Sequence, residues 1–234
     1  MPDKLIFSEK GRLSILDHAM GAVKLGSTLI GISNNECLVL IRAKFYDDIR
    51  EQIFDNGSIG NFDKNIGYGL SGFTADGRII IDKIRRFVQN QNFIFNTSPS
   101  VDLCAKTLRN FSSFVNNCEE NEVFITRPPG VAFLLCGYDK SGGHLLQIDP
   151  LGRCLKKNTA SIGVVRKYAN KAMHEGYRKR MNCKETIILG IRSISTTDPG
   201  RPLGENYEIG FSDKTNKEFK KLTELEIKKI IKDV

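Results

Sequence analysis

No apolar run in this chain of 234 residues approaches the roughly 20 residues that a helix needs to cross a bilayer. No membrane span is expected. The first ten residues, MPDKLIFSEK, hold no basic stretch followed by an apolar core, so no secretory leader is expected either. No Cys-x-x-Cys pair occurs. The six cysteines (Cys37, Cys104, Cys118, Cys136, Cys154 and Cys183) stand singly, several among apolar neighbours. The three histidines, His18, His144 and His174, fall at no familiar zinc spacing from them. Buried free thiols in a reducing compartment are the expectation, with no metal and no cofactor. There is no long linker rich in proline, glycine or serine, no internal repeat and no low-complexity tract. The best loop is 196–205, TTDPGRPLGE, which reads as a turn within one domain.

Hydrophobic residues make up 40% of the chain and charged residues 26%. A chain of this size buries a sizeable core without disulfide or metal support. The net charge is +8, with basic clusters at 166–171, 178–184 and 214–232. Acids are interleaved among them and the clusters fall largely on predicted helices. They read as solvated faces, because no signature of a nucleic-acid-binding module accompanies them.

Periodicity predicts a first helix over 14–24, with Ser14 and Asp17 at capping-box spacing and Leu16, Ala19, Met20 and Val23 on one stripe. Strands are expected at 28–33, 37–43 and 66–71, the first two paired through Asn34-Asn35. A helix over 75–90 follows, with Ile80, Ile84, Phe87 and Val88 on its apolar face. A second starts near Ser98 and carries Val101, Cys104, Ala105, Leu108, Phe111 and Val115 at helical spacing. Strands return at 131–138, 144–149 and 153–156. Two helices then bury Val165, Tyr168, Ala169 and Ala172, and Ile187, Ile188, Ile191 and Ile194. A strand at 207–211 and a helix capped by Thr223 and Glu226, burying Ile227, Ile230 and Ile231, complete the pattern. Strands in hairpin-like groups and helices in pairs argue for a layered α+β domain rather than a parallel βαβ array.

Motifs with chemical meaning are weak. Gly67-Tyr68-Gly69-Leu70-Ser71-Gly72 matches the phosphate-cradling G-x-G-x-x-G. No strand with a ribose-binding acid follows at the required distance, so a glycine-rich corner is the expectation. The same stretch misses the G-x-S-x-G nucleophile elbow by one position. None of the histidines sits in a motif that suggests a serine–histidine–acid triad. Asp17 and His18 are adjacent on a helix and point about 100° apart, which does not make an acid–base pair.

Four segments, in order and in register, resemble the proteasome alpha-type subunits. Residues 7–28 carry Phe7-Ser8, Gly11-Arg12-Leu13, Asp17-His18-Ala19 and Gly26-Ser27-Thr28, similar to F-S-P-x-G-R-L…E-Y-A…G-S-T. Residues 71–78, SGFTADGR, are similar to S-G-L-x-A-D-A-R. Residues 127–132, RPPGVA, are similar to R-P-F-G-V-A, and 147–152, QIDPLG, to Q-x-D-P-S-G. The resemblance covers nearly the whole chain. Within the family, KLGST at 24–28, GVAFLL at 130–135 and the ending 224–234 resemble alpha type-5 most.

The resemblance implies an α+β fold, a four-layer αββα sandwich of the N-terminal-nucleophile hydrolase type with an extra N-terminal helix. Residues 1–26 would form the N-terminal segment and a helix on top of the ring, and 27–234 the sandwich. It implies a non-catalytic subunit of the core particle's outer ring in ubiquitin-dependent protein degradation, in the cytoplasm and nucleus. The partners would be other alpha subunits in a heptameric ring, beta-ring subunits, and regulatory-particle ATPases or other activators, with neither nucleic acid nor membrane. Phe7, Ser8, Gly11, Arg12 and Leu13 would belong to the gate signature, and Leu16, Ala19, Met20 and Val23 to a ring interface.

Active members of that fold use an N-terminal threonine whose own amine is the base. The matching position here is Ser27, with Thr28 beside it. The supporting aspartate falls at Arg42 and the supporting lysine near Ser58. An active self-processing hydrolase with Ser27 as nucleophile and a basic nucleic-acid binder are the two alternatives. Residues 1–6 offer no Tyr-Asp-Arg segment of the kind that orders the family's gate, and Glu9 stands where the family has proline. The stretch that usually supplies a lysine for a regulator's C-terminal carboxylate ends at Ser58. Lys64 is the nearest substitute, so Ser58 and Lys64 are the expected tail pocket.

Overall fold

The computed structural model describes residues 7–9, 11–44, 57–112, 127–195 and 207–231. The loop expected at 196–205, Cys118 and Val115 lie outside them. Strand β1 (Leu29–Ser33) and strand β2 (Cys37–Ala43) form the expected hairpin. The Asn34 carboxamide oxygen closes its turn by accepting from the N–H groups of Glu36 and Cys37 at 2.9 and 2.8 Å. After them come β3 (Ile59–Asp63), β4 (Ile66–Gly72), β5 (Val131–Asp139), β6 (Gly142–Ile148), β7 (Cys154–Lys156), β8 (Thr159–Ile162), β9 (Tyr207–Asp213) and β10 (Phe219–Lys221). They form two five-stranded antiparallel sheets, ordered β10-β9-β2-β1-β8 and β3-β4-β5-β6-β7.

The helices among the described residues are α1 (Ser14–Leu25), α2 (Thr74–Phe95), α3 (Val101–Ser112), α4 (Arg166–Gly176), α5 (Cys183–Ser195) and α6 (Glu224–Ile231). Three apolar clusters show the layering. One joins α2 and α3 (Ile80, Ile84, Val88, Val101, Leu108) to the outer face of β4–β6 (Leu70, Phe133, Leu135, Ile148). One joins α4, α5 and α6 (Ala169, Met173, Ile191, Ile227) to Ile30, Ile32, Val39 and Ile41. The third lies between the sheets, with Leu29, Leu38, Leu40, Leu134, Cys136 and Leu145. Each inner strand is thus covered on both faces, which is why β2 and β5 read as unbroken apolar runs rather than alternating ones. The layers run helix, sheet, sheet, helix, as the resemblance implies.

Glycines set the distance between the sheets. A methyl group at Gly69 would meet the Leu29 side chain, one at Gly67 the Phe219 ring, and one at Gly31 the end of Leu145. The G-x-G-x-x-G stretch is therefore a core strand whose Gly67 and Gly69 face the other sheet.

Several expectations are corrected. Strands β3, β8 and β10 were not expected; they are short, partly polar sheet edges. Helix α2 runs to Phe95, five residues further than expected, and stops where Asn96 adopts φ +50, a conformation that asparagine tolerates. The α1 N-cap is Leu13, whose side chain makes no cap; Ser14 already lies inside the first turn. The α3 cap is Ser100, whose hydroxyl accepts from the Leu103 N–H, rather than Ser98. Tyr168 faces out at 70% exposure, and Met173 takes its place in the core. Thr223 and Glu226 form the expected capping box. Asn182 and Glu185 form another at α5. Of the five described cysteines, Cys37, Cys104 and Cys136 are buried, whereas Cys154 and Cys183 are only half-buried. Burial pushes the Cys104 thiol up to about 12, which keeps it protonated and inert.

Gly72 has φ +118, and an added methyl group would strike the Gly130 carbonyl, whereas Gly142 has φ +121 with open space around it. Both Gly→Ala changes strain the backbone, and only the first adds a clash. Gly142→Ala is expected to lower stability by about 1 kcal/mol and Gly72→Ala by roughly 3 kcal/mol. Urea unfolding of the full-length variants checks the order.

Candidate functional site

Helix α1 hands the chain to β1 through Gly26, Ser27 and Thr28, and this junction is fastened on every side. Gly26 lies so close to the backbone of Gly72, at the end of β4, that no side chain fits. The Gly26 carbonyl accepts from the Val164 N–H at 3.1 Å. The Ser27 carbonyl accepts from the Ser71 hydroxyl at 2.7 Å. Thr28 is fully buried, and its hydroxyl accepts from the N–H of Val165, the N-cap residue of α4, at 3.2 Å.

The Ser27 side chain meets a cation. Arg42 Nε donates to Ser27 Oγ at 3.0 Å. Arg42 in turn pairs with Glu208 on β9, Nη1 to Oε2, at 3.4 Å, with both side chains buried. Glu208 also accepts from Lys221 Nζ at 2.7 Å and from the N–H groups of Ser58 and Ile59 at 3.0 and 3.3 Å. Ser27, Arg42 and Ser58, three separate expectations, thus come together around one carboxylate. Glu208 and Lys221 were missed, because nothing local to 207–221 marks either as distinctive. Ser27 meets, among the described residues, the Arg42 guanidinium rather than a base. Its nitrogen is a peptide amide, and a guanidinium, never deprotonated in proteins, cannot take the hydroxyl proton.

The expected tail pocket does not contain both its residues. Ser58 is buried at the start of β3, with its N–H on Glu208. Lys64 lies exposed in the turn after Asp63, at the other end of the strand, roughly 20 Å away at the extended rise per residue.

At the N-terminal signature, Ser8 and Arg12 close a small loop. The Ser8 N–H donates to the Arg12 carbonyl at 2.7 Å, and Ser8 Oγ accepts from the Arg12 N–H at 3.1 Å. Gly11 sits at φ +70, and Phe7 bridges Leu13. Glu9, in place of proline, takes an exposed turn position. Two other signature segments meet in space. Asp76 binds Arg127 through two contacts of 2.8 and 3.0 Å and accepts from the Gly130 N–H at 2.9 Å. Asp149 closes its own turn by accepting from the N–H groups of Leu151 and Arg153. On α1, Ala19 and Val23 are buried, while Leu16 and Met20 are half-buried; Asp17 and His18 are both exposed.

Elsewhere Ser141, His144 and Asp139 come together, which sequence reasoning did not foresee. Ser141 Oγ and Asp139 Oδ1 both approach His144 Nε2, at 2.7 and 3.0 Å, and Lys156 Nζ reaches Nδ1 at 3.0 Å. A relay needs serine and acid on opposite ring nitrogens. With lysine donating to Nδ1, Nε2 carries the hydrogen and cannot serve as a base. The cluster stabilises the β5–β6 turn. Burial raises the Asp139 carboxyl, but hydrogen bonds from Ser141 and the nearby His144 outweigh it and hold it below the usual range.

The family model described as "Proteasome subunit" matches residues 23–210. The chain belongs to the proteasome subunit family. A "Proteasome subunit alpha" of Methanoregula boonei is 28% identical over 229 residues, which is 95% of this chain and 90% of the relative. One of Sulfurisphaera tokodaii is 31% identical over 224 residues, or 93% and 89%. "Proteasome subunit alpha type-5" of Trypanosoma brucei brucei is 30% identical over 191 residues, or 80% and 76%. The chain is a proteasome alpha-type subunit, about as similar to the relatives named alpha without a type as to the type-5 one. In this proteasome subunit, the motifs at 71–78 and 127–132 are two halves of one knot, Asp76 with Arg127 and Gly130.

Two outcomes are expected. Glu208→Gln removes the carboxylate from Arg42 and Lys221 and should cost about 3 kcal/mol. Ser27→Ala, which removes one hydrogen-bonded hydroxyl, should cost about 1 kcal/mol. Urea midpoints of the full-length variants decide the order, and the reverse order would mean that Glu208 does not organise this end. The Asp139 carboxyl, lowered in the fold, contributes stability above its unfolded value near about pH 4. That contribution is lost as pH falls through the lowered folded value, so Asp139→Asn should flatten the acid limb of a midpoint-against-pH series.

Proposed function

We propose that this chain is a non-catalytic subunit of the proteasome core particle's outer ring, in the cytoplasm and nucleus. It would seat the beta ring, narrow the substrate entrance and dock regulatory particles. The observation that carries the non-catalytic part is the Ser27 environment. A half-buried, mid-chain position, a peptide nitrogen in place of a free amine, and Arg42 where an acid is needed leave the hydroxyl with no base.

Unpartnered apolar surface supports assembly with other subunits. Leu25 of α1 is 83% exposed, and the half-buried Leu16 and Met20 leave part of that helix open. Phe93, Ile94 and Phe95, at the end of α2, form a second exposed apolar group, with Phe93 at 91%. Surfaces of this kind mark contacts with other chains.

Regulator docking at the Ser58 end would meet an unusual charge arrangement. Among the described residues, the cations at hand there are Arg42 and Lys221, and Glu208 holds both. A C-terminal carboxylate would have to compete with Glu208, so a tail should gain less here than from an unpaired lysine.

Mass spectrometry of this chain from a purified native particle tests the reading. The expected result is a species that retains the residues before Ser27, no labelling of Ser27 by hydroxyl-directed electrophiles, and unchanged peptide hydrolysis in Ser27→Ala. A species beginning at Ser27 that cuts peptides by itself would overturn it.

A further inference from the structure

At the end of the sandwich opposite Ser27, the turns of three hairpins surround a cavity of about 410 Å³. Lys140 enters from the β5–β6 turn, Lys214 and Lys217 from the β9–β10 turn, and Lys179 from the α4–α5 connection. None of the four makes an ion pair with a described residue. The acid in the lining, Asp139, is occupied by Ser141 and His144. Four ammonium groups around one concavity repel one another, and the field they sum to attracts an anion.

Two further observations point the same way. Lys217 holds φ +57, a left-handed conformation that glycine or asparagine adopts at less cost, so a cation is kept there against the backbone preference. Tyr138, on the inner face of β5, lines the cavity. The residue is 5% exposed, and its buried hydroxyl has no hydrogen-bond partner among the described residues. A buried donor without a partner is costly, and a ligand oxygen or a bridging water would satisfy it. Burial raises the phenol well above its ordinary value, so it stays a donor.

We infer that this cavity binds a small phosphate-bearing polyanion. Dispersed ammonium point charges without an arginine fork suit several separate negative groups better than one carboxylate held in two places. The volume lies in the lower part of the range of about 300–1,000 Å³ found for small-molecule sites. The inference does not rest on the subunit's place in a particle, since it uses only this chain's own turns.

Titration of the full-length chain with tripolyphosphate at about 0.15 M salt tests it, followed by calorimetry or phosphorus NMR. Saturable binding is expected. The double variant Lys214→Gln/Lys217→Gln should weaken it at least tenfold. Tyr138→Phe should weaken it several-fold without lowering the thermal midpoint, because the change removes an unsatisfied hydroxyl. The control Lys228→Gln/Lys229→Gln, with the same charge change on α6, should leave binding unaltered. A parallel titration with ATP separates sources: equal affinity assigns recognition to the phosphates alone, and tighter binding adds the nucleoside. No saturable binding, equal loss in the control, or unaltered affinity in both test variants would overturn the inference. So would saturable binding of a polyglutamate peptide with none of tripolyphosphate.

Discussion

Gly26 runs so close against the end of β4 that a single methyl group there would strike the backbone of Gly72. That approach fixes where α1 ends and β1 begins, and most of this end of the molecule follows from it. With the chain pressed against β4, Ser71 reaches the Ser27 carbonyl, Val164 reaches the Gly26 carbonyl, and the α4 N-cap sits on Thr28. In an enzyme of this fold, the same place must hold a free amine and room for a substrate. Here it holds a continuous chain whose Gly26 and Ser27 carbonyls and Ser27 and Thr28 hydroxyls each accept a hydrogen bond.

The electrostatics at this end depend on Glu208 in the same way. A buried carboxylate is tolerable only when its lone pairs are met. Two cations and two backbone N–H groups meet them, drawn from β2, β10 and the start of β3. The carboxylate thus ties three strands from both sheets at one point. Glu208 helps to balance the charge that Arg42 presents to Ser27.

The legibility of this fold in its sequence follows burial. Strands covered on both faces, such as 131–139, are unmistakable as apolar runs, and the helical stripes of α2, α3 and α5 pack where periodicity places them. The edge strands β3, β8 and β10 were missed because an edge needs few apolar contacts and admits polar residues. Without β3, Ser58 and Lys64 look near one another, and with it they stand at opposite ends of a strand. Family motifs singled out Ser27, Arg42 and Ser58, which the fold brings near one another. Glu208 was invisible. Its partners lie 13 to 166 residues away in sequence, and no local pattern records them.

The two ends of the sandwich treat positive charge in contrary ways. At the Ser27 end, Arg42 and Lys221 are neutralised by a carboxylate brought in from β9. At the hairpin end, Lys140, Lys179, Lys214 and Lys217 face a cavity whose acid is already committed to its own turn. Reading the +8 net charge as solvated helix faces describes the 166–171 cluster well, where Lys167 and Lys171 on α4 are exposed. It does not describe the hairpin end, because those lysines come from turns and converge. Turns are free to carry any polar residue, so four cations at one mouth are not forced by the fold. What the fold does dictate is that these turns meet, since strands of both sheets end there together.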